Sequence, residues 1–178
     1  MSRWKKDIVL WIVFSILIIM PFVTTEESIA SCGFCQALIE FMSSIVPGVQ
    51  VMSAASILPQ TVALEMSISW LFVPIIVAYA YLAYLRGEIV IKSGQIRSSV
   101  LFIAIGVFDF LIGKSGFPSI FYGTMATFKG SNNRNIIFSM LQSDTGISIV
   151  GFGINAFEGM LVFALLLILT SIIKSYKK

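Results

Sequence analysis

The sequence predicts an all-α, polytopic membrane protein. It reads as a single membrane domain, residues 1–178, with four transmembrane helices, both termini on the cytoplasmic side, and an amphipathic helix on the periplasmic side after the first span. Three observations point there. Apolar residues make up 57% of the chain and charged residues only 12%; soluble globular chains carry about 25% charged residues, so lipid has to cover part of this surface. Four stretches approach the ~20 mostly apolar residues that cross a hydrocarbon core. Lysine and arginine then fall mostly on one side of those stretches.

The expected spans are residues 7–25, 66–85, 98–117 and 147–173. The third contains Asp109, and the fourth is longer than one crossing needs, so it tilts or projects. Arg3, Lys5 and Lys6 precede the first span; Arg86, Lys92 and Arg97 link the second and third; Lys174, Lys177 and Lys178 follow the fourth. Only Lys114, Lys129 and Arg134 lie on the other side, so nine of the twelve basic residues put both ends and the middle link inside. Trp4, Trp11, Tyr79, Tyr81 and Tyr84 gather toward the same boundary, as interfacial aromatics do. The first span has one alternative, a signal peptide cleaved near Ser28-Ile29-Ala30. Polar residues Thr24 to Ser28 separate that site from the apolar core, and the apolar run is long for a signal, so retention is the expectation.

Two outer segments, residues 26–65 and 118–146, are longer than turns. In the first, Ala37, Leu38, Phe41, Met42 and Ile45 recur at helical spacing while Gln36, Glu40, Ser43 and Ser44 take the other face. This predicts an amphipathic helix stopped by Pro47-Gly48, too short and polar to span, that lies on the outer leaflet or against other subunits. The apolar stretch from Val49 to Ala63 reads as a second short helix or a re-entrant piece. In the second segment, Gly130-Ser131-Asn132-Asn133 signals a turn, and a short helix is expected over Ile136 to Leu141.

Chemistry has few places to reside. Without histidine, the commonest general base and metal ligand is missing, and the only cysteines are Cys32 and Cys35. No metal and no cofactor are expected, and a net charge of +3 gives no reason to expect nucleic-acid binding. Cys32-Gly33-Phe34-Cys35 is expected to form a disulfide in an oxidising periplasm, either as a staple at the start of the amphipathic helix or as a thiol–disulfide exchange site. Four-span membrane oxidases of the DsbB type resemble this arrangement in carrying a CxxC in the first outer loop. They use a second cysteine pair and an arginine shortly after the CxxC, and this chain has neither.

Asp109, Asn155 and Glu158 are the expected intramembrane polar residues; a carboxylate in lipid costs at least ~2.5 kcal/mol, so each acid should face protein or water, with Lys114 a candidate partner. They read as helix-packing contacts or as an ion pathway. Gly151, Gly153, Ala156 and Gly159 make the fourth span small-sided, which suits close helix packing within the bundle or between subunits. Pro21 and Pro74 should kink their spans, with Ser67 and Ser69 placed to satisfy freed backbone groups. The expected partners are lipids, other membrane subunits or copies of the same chain.

One order of features resembles a known family. A cysteine leads into the amphipathic helix Cys35-Gln36-Ala37-Leu38-Ile39-Glu40-Phe41-Met42, a span follows and ends Tyr84-Leu85-Arg86-Gly87, and a third span continues into Phe117-Pro118-Ser119-Ile120-Phe121. Across roughly residues 30–130 this resembles the TrbL-like polytopic inner-membrane subunits of type IV secretion and conjugation machines. The resemblance implies a non-enzymatic role in a multi-subunit inner-membrane platform. Immunity proteins against pore-forming bacteriocins share the size, four-span topology and inside termini, and are the main alternative. Membrane thiol–disulfide oxidoreductase is a third.

Overall fold

The computed structural model describes residues 8–88, 106, 121–122 and 136–176. All regular structure among them is helical: α1 (Ile8–Val23), α2 (Glu26–Ser31), α3 (Gly33–Ile45), α4 (Gly48–Ala54), α5 (Pro59–Leu85), α6 (Ile136–Met140) and α7 (Asp144–Tyr176). Two of these, α5 and α7, are long and apolar enough to cross a membrane. The bent pair α3–α4 would be a third only as one broken span, and α1 is a shorter apolar helix.

The first expected span corresponds to α1, whose sixteen residues carry Pro21 near the end. The second begins at Pro59, earlier than the expected residue 66, so Pro59 to Glu65 belong to α5 and not to the outer segment. Proline suits the first turn of a helix because its missing N–H would have no intrahelical partner there. The fourth is longer at both ends than expected, running from Asp144 to Tyr176. The third, residues 98–117 with Asp109 and Lys114, lies outside the described residues except Gly106. Gly106 is helical and sits against α7; a Cβ there would stand 3.0 Å from Leu161 Cδ1.

Contacts fix the relative directions of the long helices. Gly151 of α7 lies against Glu65 and Ser69 of α5, Gly159 faces Ile76, and the Tyr81 and Thr170 hydroxyls meet at 2.6 Å. Residue numbers rise together on both helices, so α5 and α7 run parallel. Helix α1 runs antiparallel to α7: Phe14 stacks on Phe152 at 5.1 Å, and Ser148 donates to the Ile18 carbonyl at 3.1 Å.

Helices α3 and α4 form a hairpin beside the first turns of α5. Gln36 near the start of α3 donates to Gln60 at 2.9 Å. Pro47 breaks the helix: it has no N–H, and it disfavours helical geometry at Val46, which is extended at φ −118°, ψ 96°. The chain bends by 116° at this break. The Gly48 N–H bonds the Phe121 carbonyl at 2.8 Å, and Phe121 stands edge-on to Trp70 at 5.8 Å. The tip therefore lies beside Trp70, ten residues or roughly 15 Å along α5 from Gln60 at 1.5 Å per residue. Helix α4 then leads back to Pro59. Met42, Val46, Val49 and Met52 of the hairpin share one core with Val62 and Met66 of α5 and Leu141, Ile147 and Ile154.

The turn between α4 and α5 is tied to the turn before α7. Gln142 accepts from the Ile57 N–H at 3.0 Å and donates to the Ala55 carbonyl at 2.8 Å, and Ser56 donates to the Leu141 carbonyl.

Candidate functional site

Two neighbouring features gather the polar side chains of this apolar chain: a groove between the hairpin and α5, and a buried seam between α5 and α7.

The groove is built from its rim. Thr25 and Ser28 form a reciprocal capping box that starts α2, with the Thr25 N–H to Ser28 Oγ at 2.9 Å and the Ser28 N–H to Thr25 Oγ1 at 3.2 Å. The next residue, Glu26, then reaches a different helix. Its carboxylate accepts from the Gln60 N–H at 2.9 Å, the Thr61 N–H at 2.8 Å and the Thr61 hydroxyl at 2.7 Å. Leu58, at the N-cap of α5, supplies no side-chain cap. Glu26 thus takes the first two free N–H groups after Pro59, where a negative charge also complements the helix dipole.

Cys32 and Cys35 form a disulfide with Cα atoms 5.2 Å apart. Cys32 also caps α3, its Sγ accepting from the Cys35 N–H at 3.2 Å. Gln36 bonds both the Ile29 carbonyl, at 3.0 Å, and Gln60. The disulfide and the Ile29 contact shape the foot of the hairpin, and the Gln36–Gln60 bond holds it against the start of α5. Between the arms lies a groove of about 350 Å³, lined by Gln36, Glu40 and Ser43 of α3, Gln50 and Ser53 of α4, and Gln60 of α5, with Ile39, Pro59 and Ala63 supplying apolar surface among them. Amides, hydroxyls and one carboxylate are hydrogen-bonding groups without a nucleophile–base pair. Among the described residues no cluster of His, Cys, Asp or Glu is suited to a metal ion.

The seam runs on from the groove. Thr61, Glu65 and Ser69 recur every fourth residue on α5, and all three are buried. On α7, Ser148, Gly151, Asn155 and Glu158 are spaced three, four and three apart and are also buried, with Gly151 against Glu65 and Ser69 and Ser148 turned to α1. Gly151 permits the contact: a Cβ there would overlap Glu65 Oε1 and stand 2.9 Å from Ser69 Oγ. Asn155 donates to the Gly151 carbonyl at 3.1 Å.

The structure distributes the expected site residues as follows. Asn155 and Glu158 lie in the seam, whereas Asp109 is outside the described residues. Of the small residues, Gly151 and Gly159 pack toward α5, Ala156 is half-buried, and Gly153 points into open space. The expected apolar face of α3 divides in two. Leu38 and Met42 turn to the core with Ile39 and Val46, while Ala37, Phe41 and Ile45 are exposed with Phe34. Ser67 donates to the Ala63 carbonyl at 2.7 Å, a turn away from the Trp70 carbonyl that Pro74 leaves without its usual partner.

Glu65, Glu26 and Gln142 are the residues that sequence reasoning missed. A hydropathy window ends the span at Glu65 because the residue is charged. The signal that finds it is Pro59 at a helix start followed by Thr61, Glu65 and Ser69 on one face. No protein-family model, curated protein or solved structure matches the chain.

Proposed function

We propose that this chain is a non-enzymatic subunit of a multiprotein membrane platform, which receives a polar segment of a partner protein in the groove between the α3–α4 hairpin and α5. The groove carries this reading. It is a concavity in which three glutamines, two serines and Glu40 stand beside Ile39, Pro59 and Ala63, Glu26 ties the start of α5 beside it to α2, and its lining offers hydrogen bonds over an apolar floor. The order of cysteine, amphipathic helix and span makes a secretion or conjugation platform of the bacterial inner membrane the best-fitting setting.

The topology proposed with it has four crossings, both termini in the cytoplasm, and the groove facing the periplasm. The parallel course of α5 and α7 supports this, because the chain between them has to return across the membrane, and residues 98–117 are the apolar stretch available. The basic residues favour the same direction. The hairpin is proposed as a re-entrant element. Its feet stand together at the start of α5, and Phe34, Phe41 and Ile45 form a bare apolar stripe at 79%, 58% and 51% exposure, suited to lipid.

Photocrosslinkers placed at Ser43 and Gln50, expressed from the native operon, test the reading. The expected result is a crosslink to one co-encoded subunit, lost when Ser53→Trp fills the groove. A chain that purifies alone from cells carrying the full operon, with no groove-dependent crosslink, overturns it. Protection of cells against one pore-forming toxin by the chain alone would replace it with the immunity reading.

A further inference from the structure

The seam between α5 and α7 goes beyond a docking role. Glu65 is 0% exposed, and neither carboxylate oxygen has a hydrogen-bond partner. Ser69 is equally buried, and its hydroxyl is also without one. Asn155, 1% exposed, commits its Nδ2 to the Gly151 carbonyl, and its Oδ1 is unpartnered. These are four oxygens on adjacent faces of two helices. Two of them line the position where Gly151 leaves out a side chain, a Cβ there overlapping Glu65 Oε1 and approaching Ser69 Oγ to 2.9 Å, and Asn155 stands one helical turn beyond, tied to the Gly151 carbonyl. Buried polar groups of a native protein are almost always satisfied. A carboxylate in a lipid-embedded interior must find a partner or lose its charge.

We propose that Glu65, Ser69 and Asn155 form a binding site for one dehydrated monovalent cation of the size of Na⁺, held between α5 and α7. Oxygen-only ligands suit a hard alkali cation. A single carboxylate balances a single positive charge. Glu158, further along the same face, is engaged in other contacts. The site lies close to the groove: Gln60 lines the groove, its neighbour Thr61 begins the seam, and Glu65 is one helical turn further on.

The full chain in detergent tests this with Na⁺ itself as the probe. Radioactive Na⁺ binding to wild type should saturate at one ion per chain. Thermal unfolding should shift upward with NaCl and not with choline chloride at equal ionic strength. Glu65→Gln, nearly the same size and without the charge, should fold and lose both effects. Ser69→Ala, which removes one ligand, should weaken binding by on the order of tenfold. Absence of saturable Na⁺ binding to wild type, with identical melting in the two salts, overturns the site and leaves a protonated Glu65 as a packing residue. That failure is separable from failure of the docking proposal, which is read by crosslinking.

Discussion

Replacing Glu26 with alanine should loosen the hairpin end of the molecule far more than its place in a six-residue helix suggests. The carboxylate accepts three hydrogen bonds from the start of α5, two from backbone and one from the Thr61 hydroxyl. Losing an N-cap side chain costs ~0.5–2 kcal/mol. Thr61 is only 2% exposed, so its hydroxyl cannot turn to water, and stranding a buried donor costs ~1–3 kcal/mol. The two effects overlap, which gives a loss of roughly 1–4 kcal/mol. For a chain of this size that lowers the unfolding temperature by roughly 3–15 °C. The assay is thermal unfolding in detergent, read by tryptophan fluorescence; Trp70 stands against Phe121 beside the hairpin tip. Glu27→Ala is the control, since Glu27 carries the same charge in the same turn but is exposed. In a Thr61→Val background the Glu26→Ala loss should shrink by about 1 kcal/mol, because no hydroxyl is left to strand. If Glu26→Ala and Glu27→Ala melt within ~0.5 kcal/mol of each other, the cross-helix cap is wrong.

Three further outcomes follow from the same geometry. Gly151→Ala should destabilise by ~1–3 kcal/mol, because its methyl overlaps the Glu65 carboxylate, whereas Gly153→Ala should be neutral or stabilising by up to ~1 kcal/mol, with no atom within 4 Å and a better helix former in place; melting curves of the two variants decide it, and Glu65→Ala should relieve the Gly151→Ala loss. Cys32→Ser with Cys35→Ser opens a four-residue loop and should cost about 2 kcal/mol by loop entropy, seen as faster amide exchange at the first turn of α3; partner docking should survive, whereas its loss alongside loss of thiol–disulfide exchange activity would favour a redox role. Gln142→Ala should leave the Ala55 carbonyl and Ile57 N–H without their protein partner, cost ~1–2 kcal/mol, and raise amide exchange selectively across residues 55–58.

What could be read from the sequence was whatever depends on neighbours along the chain. The Pro47-Gly48 stop, the helical spacing across Ala37 to Ile45 and the apolar runs of the long helices are all local, and α3, α5 and α7 follow them. The disulfide spacing is local as well. The misses are of two kinds. Glu26 and the start of α5 are 34 residues apart, and capping rules look only a few residues ahead. Glu65 was hidden by averaging: a hydropathy window treats a charge as the edge of a span, whereas burial is decided by helix face. The divided face of α3 has a related cause. Its apolar arc is too wide for one partner, so Leu38 and Met42 meet α5 and Phe41 and Ile45 are left over. Only the position of α5 decides which half is which.

A hairpin that dips into lipid must satisfy the backbone at its tip, because hydrocarbon offers no hydrogen bonds, and non-helical backbone is tolerated at that depth only when covered by protein. The break at Val46 to Gly48 meets this demand. The Val46 N–H bonds the Met42 carbonyl at 2.8 Å, the Gly48 N–H bonds the Phe121 carbonyl at 2.8 Å, the Val49 N–H bonds the Val46 carbonyl at 3.1 Å, and Pro47 has no N–H to place. Val46, Gly48 and Val49 are buried. For a hairpin resting in water, the outward stripe of Phe34, Phe41 and Ile45 would be a liability. Satisfied tip, bare apolar back and polar inner wall all fit one arrangement, in which lipid lies outside the hairpin and a polar groove lies within it. The same arrangement accounts for the tie at the foot. Without Glu26 the start of α5 loses its tie to α2, and the groove wall that Gln60 supplies loses its anchor.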